Sequence, residues 1–197
     1  MNIDAYIALA IFSFASSITP GPNNLMLMAS GANYGIRRSL PHMMGVGIGF
    51  VFMVLMVGIG LVQIFESVSW SYLALKIISA IYLLYLAGRI ATAAAPGEGE
   101  AESGKPFTFW QAAAFQWVNP KAWTMALTAV AVYAPSQSLL AVGLVAAVFG
   151  SINLPCISLW TAMGEQLRVV LTNPRRLRAF NVTMALLLVA SLYPVLI

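Results

Sequence analysis

The sequence predicts an all-α integral membrane protein: six transmembrane helices in a 3+3 inverted repeat, with the first and fourth helices broken. Three observations predict it. Of the 197 residues 60% are hydrophobic and 8% charged, with mean hydropathy +0.86, where soluble domains carry about 25% charged residues. Six apolar runs have the roughly twenty residues that a hydrocarbon core of about 30 Å demands. Two helix-breaking polar motifs interrupt such runs, one in each half: Thr19-Pro20-Gly21-Pro22-Asn23-Asn24 and Trp117-Val118-Asn119-Pro120-Lys121-Ala122.

Span one, 4–30, follows Met1-Asn2-Ile3-Asp4. This start has an acid, no basic n-region and no small-residue cleavage site, so the first apolar run is expected to stay as a helix. Its run Ile7–Ile18 meets the first motif and resumes at Leu25–Ala29. Proline lacks the N–H and fixes φ, and glycine relaxes the chain, so the helical ladder must break there. Span two, 40–64, carries Gly45, Gly47 and Gly49, then Gly58 and Gly60. Gly45 and Gly49 share a helix face and admit another helix closely, which makes a homodimer reasonable. His42 follows Pro41 at the mouth of this span, where gating, proton carriage and plain solvation all remain open.

Span three, 70–92, holds Lys76 near one end, placed to snorkel. Residues 93–108, with the low-complexity run AAAPGEGEAESGKP, read as a flexible linker. The linker divides a first three-helix half, 1–92, from a second, 109–197, of one membrane domain. Span four, 109–134, contains the second break. Span five, 138–163, contains Ser151, Asn153, Pro155 and Ser158. That stretch either lines a cavity with the breaks or bonds its hydroxyls back to its own carbonyls. Span six, 178–196, is shortened by Tyr193-Pro194, so a five-span reading with an interfacial last segment stands beside the six-span one.

Charge orients these spans. Arg37 and Arg38, Arg89 and Lys105, and Arg168, Arg175, Arg176 and Arg178 fall in alternate connections, while Gln63–Ser69 and Ala134–Gln137 hold no Lys or Arg. The positive-inside rule then places both termini outside the cytoplasm. The net charge of +4 is thus a topology signal; no basic stripe with interleaved aromatics points to nucleic acid. Three spans per half give the second half the opposite orientation. Paired interruptions in such halves point to a transporter's substrate site. Cys156 is the single cysteine, which excludes an intramolecular disulfide, a Cys-x-x-Cys pair and a thiolate cluster.

Broken helices have usable ends. Half-helix N-termini present free N–H groups suited to a carboxylate, and half-helix C-termini present carbonyls suited to an ammonium. Two opposed breaks therefore form a cradle for a zwitterion such as an amino acid. The candidate binding residues are Thr19, Pro20, Gly21, Pro22, Asn23, Asn24, Asn119, Pro120 and Lys121, with Asn153 from span five. Thr19 either caps the restarting helix or bonds the freed carbonyls. Lys121 lies about 18 Å of helix rise into its span. A carboxylate or structural role at the break stands there against snorkelling or carbonyl capping. An enzyme would need a nucleophile–base pair or a metal cluster, and one His and one Cys supply neither; no cofactor or metal is expected.

The runs TPGPNNLMLMASGANYGIRRS, GVGIGF and FQWVNPKAW together resemble the LysE/RhtB family of amino-acid exporters. The resemblance covers nearly the whole chain. It implies an exporter of amino acids or their derivatives in the bacterial cytoplasmic (inner) membrane, driven by protons. Its motif positions fall on Pro20, Gly21, Pro22 and Asn23, and on Asn119, Pro120 and Lys121. Many members have an acid directly after Pro-Gly-Pro, where this chain has Asn23 and Asn24. A cationic side chain would lack a counter-charge, so a neutral substrate fits better, and the Asn-Asn form resembles the cysteine/O-acetylserine exporter branch. No midplane carboxylate is available to carry protons, which leaves Lys121, the substrate amine or His42. The alternative is export of another small solute or a metal cation on the same fold.

Overall fold

Local sequence sets the helix starts. Asn2 Oδ1 accepts from Ala5 N–H at 3.0 Å and opens α1 (Ile3–Ile18). Pro22 takes the first position of α2 (Pro22–Tyr34), where its missing N–H costs nothing. Gly35, at φ +80°, ends α2 and starts α3 (Ile36–Met56), which a π-helical turn continues over Val57–Leu61. Then come α4 (Ser71–Ala91), α5 (Phe109–Phe115), a 3₁₀ turn (Gln116–Val118) and α6 (Pro120–Tyr133). A reciprocal capping box of Thr108 and Gln111 opens α5. The last two are α7 (Leu139–Leu167), capped by Ser138, and α8 (Pro174–Ala190), capped by Asn173. This computed structural model describes residues 2–61, 63, 67, 68, 70–93, 105–136 and 138–193, which contain helices and no strand. Most of the expected linker (94–104), Glu66 and Pro194 lie outside the described residues.

Among the described residues each of the six expected spans is largely helical, but not all of these helices are long. The α3 helix with its π turn, α4 and α7 are each long and apolar enough to cross a membrane. The α1–α2 pair, bent by 54°, makes a fourth candidate. The expected fourth span is divided into 7 and 14 residues, and α8 has 17. Each of these falls short of about 20 residues taken alone. Several boundaries also move: α3 begins at Ile36, so Pro41 and His42 lie inside a helix, and α8 begins before its arginines.

Small residues set the packing. A Cβ on Gly31 would collide with the Thr161 carbonyl, and one on Gly164 with the Met28 carbonyl, so α2 and α7 meet backbone to backbone. Gly45 and Gly49 do admit a helix, and it is α5: their added Cβ atoms would stand 2.7 Å from Ala112 Cβ and Ala113 Cα. The face on which a homodimer was expected is therefore filled from within the chain. Leu9, Phe50, Met53, Ala126 and Phe149 form one core, and Met26, Leu83, Leu86, Phe115 and Leu188 another. Ile3, Ile7, Ile11 and Phe14 leave an exposed apolar stripe along α1, suited to hydrocarbon.

Basic residues gather at one end of the bundle. Arg38 lies 5.6 Å over the Tyr34 ring, Arg168 reaches Gly35, and Arg89 and Lys105 flank a cavity beside Tyr34. Glu165 Oε1 accepts from Ile36 N–H at 3.0 Å, an acid at the positive end of α3.

Candidate functional site

Pro20 and Pro22 cannot donate to the preceding turn, so α1 stops at Ile18 and leaves carbonyls from Ser16 to Pro20 without helical partners. Side chains satisfy each of them. Thr19 Oγ1 donates to Ser16 O at 3.1 Å. Asn24 Nδ2 donates to Ser17 O and Thr19 O, both at 2.8 Å. Trp160 Nε1, from α7, donates to Ile18 O at 3.0 Å. Lys121 Nζ donates to Thr19 O at 2.8 Å, Thr19 Oγ1 at 2.9 Å and Pro20 O at 3.3 Å. A cation from the second break thus sits on the negative end of the first half-helix.

Gly21 makes room for that cation. It is extended, at φ −174°, so its backbone needs no glycine. A Cβ there would stand 2.6 Å from Lys121 Cδ, because the lysine stem passes directly over it.

The second break is built from its own residues. Asn119 Oδ1 accepts from Lys121 N–H at 3.2 Å and caps α6, whose first residue is Pro120. Trp123 Nε1 donates to Trp117 O at 2.9 Å. The two breaks are also joined by a reciprocal amide pair. Asn23 Nδ2 donates to Gln116 Oε1 at 2.8 Å, and Gln116 Nε2 donates to Asn23 Oδ1 at 3.1 Å. Gln116 Nε2 further donates to Ala112 O at 2.9 Å, which fixes its orientation.

Between the breaks lies a small cavity of about 20 Å³, room for about one water. Ser17, Asn23, Asn24, Asn119, Lys121 and Asn153 are among its lining residues, and no carboxylate is. The Ser17 hydroxyl is buried there with no partner. Across the breaks a wider cavity of about 660 Å³ is lined by Pro20, Pro22, Lys76, Pro120, Lys121 and Trp123, among others.

The structure brings together the expected residues of both breaks and Asn153. Thr19 bonds one freed carbonyl, Ser16 O, rather than capping α2, whose N-cap is Gly21. Lys121 is a carbonyl cap, and it caps the opposite break. Ser151 and Ser158 turn back to Val148 O at 2.8 Å and Leu154 O at 2.7 Å. His42 is buried, not solvated as one expectation had it, and neither ring nitrogen has a partner. Sequence reasoning missed Gln116, Trp160 and Ser17. Gln116 had a signal, as a lone amide at the end of the apolar run Ala112–Phe115. Trp160 had none, since its partner is 142 residues away.

The chain matches the LysE type translocator family over residues 14–191. It is 31% identical over 163 residues to a cysteine/O-acetylserine efflux protein of Klebsiella pneumoniae, covering 80% of this chain and 81% of that one. It is 28% identical over 187 residues to the protein of the same name in Escherichia coli K12, covering 90% of each. No solved structure matches it. The family match runs through both helix breaks and every helix between them, and the chain belongs to the LysE type translocator family.

Proposed function

We propose that this protein exports a neutral amino acid or derivative, of the cysteine or O-acetylserine kind, across the bacterial cytoplasmic membrane, and that it holds the solute at the two helix breaks, against the cavity of about 660 Å³ that Pro20, Pro22, Pro120 and Lys121 line. The membrane domain comprises two inverted halves, 1–92 and 109–197, each of three spans, with both termini outside the cytoplasm. Thr19, Pro20, Gly21, Pro22, Asn23, Asn24, Asn119, Pro120, Lys121 and Asn153 form the binding region. One observation carries the reading: Lys121 of one break occupies the carbonyl end of the other. There it stands in for a substrate ammonium. An incoming ammonium takes over the Thr19 and Pro20 carbonyls and frees the Lys121 charge for the carboxylate. The uncapped N-terminus of α2 adds amide donors to that carboxylate.

The absence of a carboxylate among the residues lining the break cavity favours a neutral side chain over a cationic one. The names of the relatives favour the same class. Protons are the coupling ion in this reading, exchanged through Lys121, the substrate amine or His42.

The test is efflux from proteoliposomes preloaded with labelled cysteine, O-acetylserine, homoserine, leucine, lysine or arginine, with and without a pH gradient. Lys121→Met and Lys121→Arg are run beside the native protein, with their thermal unfolding checked in detergent. Gradient-dependent loss of a neutral solute, absent in Lys121→Met, is the expected result. Export of lysine or arginine alone would overturn the neutral class, and export of none would overturn the amino-acid reading.

A further inference from the structure

We infer that the cavity at the basic end of the bundle is a second, carboxylate-binding site, where Arg89 and Lys105 draw in the solute and His42 receives it before it reaches the helix breaks. The identity of the solute as an amino acid rests on the function proposed above; the anion preference of the cavity does not.

The cavity measures about 180 Å³, much larger than the one between the breaks and large enough for a small amino acid. Its wall comes from α2, α3 and α4 and from the chain leading into α5, with Met26, Ser30, Asn33, His42, Arg89 and Lys105 among the lining residues. Two of those residues are cations and none is an acid. Low-dielectric walls focus such a potential and raise the local concentration of anions.

His42 lines the same cavity. It is 1% exposed, and neither imidazole nitrogen has a hydrogen-bond partner. Its ring packs against Phe107 at 5.2 Å between centroids and 60° between planes, so its orientation is held by contact. Buried polar groups are nearly always paired, and leaving one unpaired is costly. A hydrogen-bonding solute in the cavity removes that cost.

The neighbouring polar groups are already committed, and in an informative way. Asn33 and Asn181 exchange amide hydrogen bonds at 2.8 and 3.0 Å. Ser39 Oγ donates to Gly35 O at 2.8 Å, so in its 2.7 Å contact with Ser30 the proton comes from Ser30. Ser30 therefore keeps only acceptor capacity, suited to an ammonium, while His42 can donate to a carboxylate. Position completes the case. The cavity runs along α2 from Tyr34 to Met26, about 12 Å of helix rise, and ends about a turn from Asn23. Met26 and Leu86 line the cavity and pack in one core cluster with Phe115.

The test uses the full chain in proteoliposomes, with Cys156→Ala as background and Ile90→Cys as reporter, since Ile90 lines the cavity. Two methanethiosulfonates, one carrying a sulfonate and one an ammonium, label the reporter from the cytoplasmic face. After correction for their rates with free thiol, the anionic reagent should be favoured about tenfold. Arg89→Gln with Lys105→Gln should remove that preference. O-acetylserine should slow labelling about tenfold at ten times its dissociation constant. His42→Leu, which keeps the packing on Phe107, should lose that protection, and His42→Asn should keep it. Equal labelling by both reagents would overturn the anion site. Efflux of O-acetylserine without protection of the reporter, or protection that survives His42→Leu and the charge removal, would overturn the second site and leave the proposed function standing. If no amino acid is exported at all, that function fails, and the charge preference still decides whether the cavity takes anions.

Discussion

At the residue scale the decisive groups are amides and one amine, because freed backbone carbonyls in a membrane need donors. Lys121 and Asn24 answer that need at the first break, and the Asn23–Gln116 pair ties it to the second. Removing one partner of a buried pair strands the other, at about 1–3 kcal/mol. Asn23→Leu and Gln116→Leu should each destabilise by about that much, and the double variant by clearly less than the sum. Thermal unfolding in detergent measures all three, and strict additivity would mean the pair does not form. Gly21 acts through Lys121. Gly21→Ala should push the lysine stem aside and lower efflux toward the Lys121→Met level; unchanged efflux would separate that packing from transport.

At the scale of elements, backbone-to-backbone contact decides which helices are neighbours. Gly31 on α2 and Gly164 on α7 face carbonyls of the opposite helix, which cannot move aside as a flexible side chain can. Alanine at either position should cost about 1–3 kcal/mol by overpacking. Gly143, also on α7, has nothing within 4 Å of an added Cβ. Gly143→Ala should therefore be neutral or stabilising by up to about 1 kcal/mol. Melting temperatures of the three variants make the comparison, and similar values would contradict the α2–α7 contact.

For the whole molecule, charge asymmetry is the organising quantity. Arg38, Arg89, Lys105 and Arg168 come together in space although they belong to α3, α4, the chain before α5 and the end of α7. An orientation with that end in the cytoplasm puts the carboxyl terminus outside. An alkaline phosphatase fused there should be active and a green fluorescent protein dark. A bright fluorescent fusion would instead place the last helix as interfacial and reduce the spans to five. A homodimer, in turn, has to use a face other than Gly45–Gly49, which α5 covers.

Composition and proline placement were enough to read an all-helical membrane protein with breaks at residues 19–24 and 117–122, because those effects are local. A missing N–H or a run of apolar residues acts wherever it stands. The same locality explains the capping by Asn119 and the back-bonding of Ser151 and Ser158. What the tertiary structure alone decided are pairings between distant segments. Lys121 on Thr19, Asn23 on Gln116, Trp160 on Ile18 and the enclosure of His42 each depend on how helices cross. One-dimensional order carries no record of a crossing angle, and a side chain's role in a membrane depends on which orphaned backbone group it meets there.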